Sequence, residues 1–183
     1  DGQDLQVQAL AIRRRELGDD DPATIASILG LGHFQRVQGG LEGAEGLYRE
    51  ALERSRRTRG SEDPLTLLAL SNMGGILRAR GRLDEAEPCL REVMDTRRRL
   101  LGEEHPMTLE AISSFGGLVR ELGRTQESEP HYREVLEKRR RVLGEEHRDT
   151  IESIGSMAIV LRALGKPAEA EPYLREALEK SRK

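Results

Sequence analysis

Apolar residues recur at steps of three and four through nearly the whole chain, and no stretch alternates with period two. Leu67, Leu70, Met73, Ile76 and Leu77 mark one helical stripe; Ala86, Leu90, Val93 and Met94 mark a second. Between them Gly81 can take the left-handed conformation that ends a helix. Asp63 ahead of Pro64 reads as an N-cap followed by a proline in the first turn, where its missing N–H leaves no bond unmade. The second stripe starts near Leu83 and closes on Arg97, Arg98 and Arg99, cations that suit the negative end of the helix dipole. Gly102 then turns the chain. The pattern predicts helix–turn–helix hairpins and no strands.

The hairpin is written four times. Leu17-Gly18, Arg59-Gly60, Leu101-Gly102 and Leu143-Gly144 recur at a spacing of 42, most visibly as LGEEHP at 101–106 and LGEEHR at 143–148. Pro22, Pro64 and Pro106 follow in phase, with Arg148 breaking the set, and Thr24, Thr66, Thr108 and Thr150 come two residues later. Gly39, Gly81, Gly123 and Gly165 close the first half of each unit. Leu5, Ala9 and Leu10 align with Leu47, Ala51 and Leu52, so the opening residues read as a lone second helix. The chain thus reads as a single repeat array: residues 1–16, then repeats at 17–58, 59–100, 101–142 and 143–183. Such a start suggests a fragment of a longer array, with a half-repeat cap as the alternative.

The small residues point to a family. Gly74 lies twelve before Ala86, Gly81 five before it and Leu90 four after; Gly32, Gly39 and Ala44, then Gly116, Gly123 and Ser128, then Ala158, Gly165 and Ala170, keep the spacing. This resembles the tetratricopeptide repeat, in its longer variant found in kinesin light chains and nephrocystin-type proteins. HEAT or armadillo repeats of ~40–47 residues are the competing architecture. The resemblance implies an all-α, right-handed α-solenoid whose first helices line a concave face. Kinesin light chain repeats share an Asn-Leu-Ala step; here only Asn72 stands at that place, against Gly30, Ser114 and Ser156. A motor-cargo role is therefore not carried over.

Composition narrows the chemistry. The net charge is −3, aromatics are 3% and Trp is absent, which disfavours nucleic acid as a partner and leaves few stacking platforms. Cys89 is the only cysteine, so no internal disulfide or thiolate zinc site can form; a reducing compartment, the cytoplasm, is expected, with an organellar interior as the alternative if a transit segment was removed. No apolar run approaches the ~20 residues of a membrane span. His33, His105, His131 and His147 have no metal-ligand spacing, His105 and His147 read as helix caps, and no nucleotide-binding or nucleophile motif appears. The expectation is a non-enzyme without cofactor or metal. Arginine clusters at 13–15, 54–59, 97–99 and 138–141, and the basic run at 180–183, fall at the ends of second helices, where the dipole and nearby Glu account for them.

If the resemblance holds, the position four after each small residue faces the groove, and it is Arg36, Arg78, Arg120 and Arg162. Ser71, Gly75, Ser113, Gly117 and Gly155 leave room beside them, and Asn72 is available to a ligand backbone. An arginine row suits carboxylate or phosphate. Solvation, or neutralisation by Glu110, Glu121 and Glu152, is the plainer account. The sequence thus reads as a protein-interaction scaffold for an extended acidic segment, or alternatively as a structural subunit packing by its convex face or ends. Tyr173, Leu174 and Leu178 have no following helix to cover them, which predicts self-association or a subunit contact there.

Overall fold

The computed structural model describes residues 2–181, which form nine α-helices and no strand. A leading helix α1 (Gly2–Leu17) precedes four hairpins. Their first helices are α2 (Pro22–Val37), α4 (Pro64–Ala79), α6 (Pro106–Glu121) and α8 (Arg148–Ala163). Their second helices are α3 (Leu41–Arg59), α5 (Leu83–Leu101), α7 (Thr125–Leu143) and α9 (Pro167–Lys180). The fold is an all-α array of helix–turn–helix repeats, of the α-solenoid class.

Each first helix starts on a side-chain cap. The Asp21 and Asp63 carboxylates accept from the amides of Ala23 and Leu65 at 2.8 and 2.9 Å. His105 and His147 hold the same post with Nδ1, accepting from the amides of Met107 and Asp149 at 3.2 Å. The hairpin turns depend on positive φ, as at Gly81 (φ 75°), a conformation open to glycine without a Cβ clash. The second helix α3 ends with its arginine cluster at Arg59, and α5 runs two residues past its own, to Leu101. The next residue, Gly60 or Gly102, returns its amide to a carbonyl four back, Arg56 or Arg98, at 3.1 Å.

The chain comprises two compact units, one ending at Val93 and the other beginning at Met94. In the first, α1 packs on α2, α2 on α3 and α3 on α4, around Ile25, Ile28, Tyr48 and Ile76, all fully buried. In the second, α6 packs on α7, α7 on α8 and α8 on α9, around Leu109, Ile112, Ile154 and Met157. Fully burying one such aliphatic side chain contributes roughly 1.5–3 kcal/mol. Close approach within a hairpin needs the small residues: a Cβ built on Gly74 would lie 2.6 Å from Leu90 Cδ2, and one on Gly32 2.7 Å from Tyr48 Cε1.

Ion pairs tie one second helix to the next inside each unit. In the first, Arg14 reaches Glu50 and Arg56 reaches Glu92, both at 2.7 Å. In the second, Arg98 reaches Glu134 at 2.9 Å and Arg140 reaches Glu176 at 2.7 Å. The four pairs repeat with the sequence period. The paired acids of the LGEEH turns join in, since Lys138 holds Glu103 at 3.0 Å, Arg141 bonds Glu104, and Lys180 holds Glu145 at 3.2 Å. These carboxylates are half of a bridge from each turn to the following second helix. Arg182 and Lys183, at the end of the last basic run, lie outside the described residues.

Candidate functional site

The arginine clusters are largely absorbed by the fold. Beside the helix-to-helix pairs, Arg97 is buried and donates Nη1 to the Met107 carbonyl at 3.1 Å. Arg139 does the same to the Asp149 carbonyl at 3.0 Å and to Ser153 Oγ at 2.8 Å. Arg13 also bonds the Ala23 carbonyl, at 3.4 Å, and Ser27 Oγ. Each thus anchors the start of the next first helix. Glu45, only 4% exposed, is held by Arg49, Arg80 and Arg82 at 2.6, 2.6 and 2.8 Å, joining α3 to the turn between α4 and α5.

The four arginines singled out from the sequence stand in the last turns of α2, α4, α6 and α8. Their place at a helix C-terminus is itself favourable for a cation. Arg36 and Arg162 are exposed, and Arg78 and Arg120 are half-buried. Arg36 Nη2 lies 3.4 Å from His33 Nδ1 and faces the Tyr48 hydroxyl without good hydrogen-bond geometry. Burial pushes the Tyr48 hydroxyl above its ordinary range, and Arg36 offsets part of that rise. Arg120 and Arg162 have no side-chain partner among the described residues.

The surroundings of these arginines differ between the units. In the first, α2 and α4 contain no Asp or Glu at all. In the second, α6 carries Glu110 and Glu121, and α8 carries Asp149 and Glu152. Glu110 points its carboxylate to 3.8 Å from Arg97. On α4, Ser71 and Asn72 are half-buried, and Gly75 faces open space, with no atom within 4 Å of a built Cβ. On α6, Ser113 is half-buried and Gly117 is buried. Sequence reasoning missed four exposed apolar residues on first helices, Val37 (65%), Leu68 (44%), Met107 (40%) and Ile159 (55%). Their signal was an apolar residue standing off the buried stripe, as in the run Leu65 to Leu70.

The remaining reactive groups have structural posts. The Cys89 thiol is half-buried, donates to the Glu85 carbonyl at 3.6 Å, and is pushed up in pKa by burial, away from thiolate chemistry. His131 packs edge-on against Phe115 at 5.3 Å. Among the described residues no three His, Cys, Asp or Glu side chains gather as a metal cluster, and no helix is long and apolar enough to cross a membrane.

Paired helices closed by glycine turns and packed through small residues define a helical-repeat interaction fold. The tetratricopeptide repeat family model matches residues 65–140 and 115–183, and a second tetratricopeptide model matches residues 24–65. The chain belongs to the tetratricopeptide repeat family. Its fold resembles a single-residue variant of the nearly identical TPR-like repeats of a candidate kinesin light chain from Podosopora anserina. That match has 24% identity and a TM-score of 0.86 over 97% of this chain and 84% of that one. BtubC (BKLC) from P. vanneervenii is similar at 21% identity and TM-score 0.86, over 98% of this chain and 71% of that one. MamA is more distant, at 15% identity and TM-score 0.64, over 92% and 84%. No curated protein matches the sequence. Tetratricopeptide repeats generally serve as non-catalytic scaffolds that bind protein partners, and the chain has the fold of a protein-interaction scaffold.

Proposed function

We propose that this scaffold binds an extended acidic protein segment along its first helices, with the Arg36 and Arg78 face as the principal contact. The observation that carries this is the complete lack of acidic residues on α2 and α4, so neither helix sets a like-charged carboxylate against an incoming acidic segment. Adjacent first helices pack ~10 Å apart, and an extended segment advances ~3.3 Å per residue. Acidic or phosphorylated residues about three apart would therefore meet successive arginines. Gly75 leaves space for the segment, Ser71 and Asn72 offer polar contacts to its backbone, and Leu68 and Val37 offer apolar ones. Taken by itself, the second unit repeats the arrangement through Arg120, Arg162 and Ser113, more weakly because of Glu110, Glu121 and Glu152, and its Gly117 is buried. The lone Cys89 fits a reducing, cytoplasmic setting. The second reading, a structural subunit packing by its ends, draws on the exposed Leu174 and Leu178.

The test is fluorescence anisotropy with labelled extended peptides carrying Glu every third residue, against Lys-bearing controls. Arg36→Glu combined with Arg78→Glu should weaken binding about tenfold, or ~1.4 kcal/mol, and the wild-type affinity should fall with salt. Arg148→Glu, an exposed site at the start of α8, is the control and should change little. Equal binding by all three proteins would remove this face as the site. Arg98 and Arg140 are unsuitable controls, since both hold neighbouring helices together.

A further inference from the structure

The hydroxyl of Tyr48 is a polar group that the fold of the first unit leaves incomplete. The residue is 0% exposed, and its hydroxyl has no hydrogen-bond partner. Buried polar groups are nearly always paired, so an orphan raises the question of what completes it. The orphan hydroxyls of Thr24, Thr66 and Thr150 recur at one position of the repeat and belong to its framework. Tyr48 does not recur in that way: one period on, the position is Leu90, which is buried there without a hydroxyl. Gly32 makes room for the ring, since a Cβ at that residue would lie 3.3 Å from Cζ, the carbon that bears the hydroxyl.

The group that the hydroxyl faces cannot complete it. Burial pushes Tyr48 above its ordinary range, and Arg36 offsets only part of the rise, so the phenol is present as an O–H donor. Arg36 is a fork of N–H donors with no acceptor of its own. Besides Tyr48, it has one long contact, 3.4 Å to His33 Nδ1, and it is exposed. Two sets of donors thus converge where α2 supplies no carboxylate. We infer that this hairpin is an anchor for one Asp or Glu side chain of the bound segment, whose carboxylate accepts from both Arg36 and the Tyr48 hydroxyl. A carboxylate has acceptors only, which is what this place lacks, and hydrogen bonds to a charged acceptor are the strong ones. Arg36 is exposed, so its guanidinium is free to turn and admit an oxygen to the hydroxyl it faces. In the next hairpin Leu90 brings no hydroxyl, so one acidic residue of the segment outweighs its neighbours. The inference rests on the acidic-segment reading and adds to it the residue that fixes the segment's register.

Fluorescence anisotropy on the full chain tests it, with a labelled peptide that has blocked ends and Glu at every third residue. Tyr48→Phe removes one oxygen and should weaken binding about tenfold. Urea unfolding should find the variant no less stable than the wild type, because the lost hydroxyl bonds nothing within the chain. Replacing the peptide's glutamates by Gln one at a time should then reveal one position that matters to the hydroxyl. Its loss should cost the wild type about tenfold more than it costs Tyr48→Phe, while the other positions cost both proteins alike. Equal binding by Tyr48→Phe and the wild type overturns the anchor and leaves the acidic-segment reading standing. A scan in which no single glutamate couples to the hydroxyl overturns it as well. So does a clear loss of stability in Tyr48→Phe, which would mean that the hydroxyl has a partner inside the fold. A peptide that binds neither protein removes both the anchor and the reading beneath it.

Discussion

Arg98 Nη2 sits 2.9 Å from both carboxylate oxygens of Glu134, joining α5 to α7 across 36 residues of sequence. Equivalent pairs at Arg14–Glu50, Arg56–Glu92 and Arg140–Glu176 make this a repeated device for aligning successive second helices. The Arg98 and Glu134 side chains are 33% and 25% exposed, so the pair is less screened than one in open solvent. A double-mutant cycle with Arg98→Ala and Glu134→Ala, read by urea unfolding, should give a coupling of about 0.5–1 kcal/mol. The same cycle on Arg175 and Glu171, 78% and 67% exposed, should give roughly 0–0.3 kcal/mol.

The adjacent glycines of α4 should respond in opposite directions. Gly74→Ala drives a methyl group into Leu90 and should destabilise by about 1–3 kcal/mol. Gly75→Ala meets open space within a helix and should stabilise by roughly 0.5–1 kcal/mol. Thermal unfolding of the two single variants checks the signs. If an acidic segment lies against Gly75, the same substitution should also reduce its binding while leaving the protein more stable.

The histidine caps are open to improvement from within the chain itself. Asp21 and Asp63 cap at 2.8 and 2.9 Å with a charge that suits a helix N-terminus, whereas His105 and His147 cap at 3.2 Å without it. His105→Asp and His147→Asp should each raise stability by about 0.5 kcal/mol at neutral pH, with Glu103–Glu104 and Glu145–Glu146 limiting the gain. Chemical denaturation midpoints would show it.

Acid should loosen the cap of α4 through Asp63. The hydrogen bond from Arg59 outweighs burial, and with the amide of Leu65 it holds the Asp63 carboxyl below its ordinary 3.8. A folded-state value lower than the unfolded one means that the stabilisation is present above about pH 4 and is lost as pH falls through the folded value. Asp63→Asn keeps a capping oxygen but removes the titration. The variant should therefore show a shallower loss of stability than the wild type between pH 5 and pH 2, measured as urea midpoint against pH.

Helix ends, caps and turns were legible in the sequence because each is settled within a few residues. Pro64 after Asp63, the stripe from Leu67 to Leu77, and Gly81 beyond it determine α4 through local hydrogen bonding and the helical period, and repetition every 42 residues multiplies that evidence. The family followed from the same spacing of small residues. Tertiary structure alone decided how like charges were sorted. Three consecutive arginines, Arg97, Arg98 and Arg99, look interchangeable in sequence. Successive helical residues turn by 100°, which sends Arg97 inward to the Met107 carbonyl and Arg98 sideways to Glu134. Likewise Gly75 and Gly117 occupy matching positions, yet one faces open space and the other is covered, because cover depends on the neighbouring helices rather than on the residue itself. The charge on α2 and α4 could be counted from the sequence. That Arg80 and Arg82 are spent on a buried Glu45 required the packed structure, since the partners lie 35 and 37 residues apart.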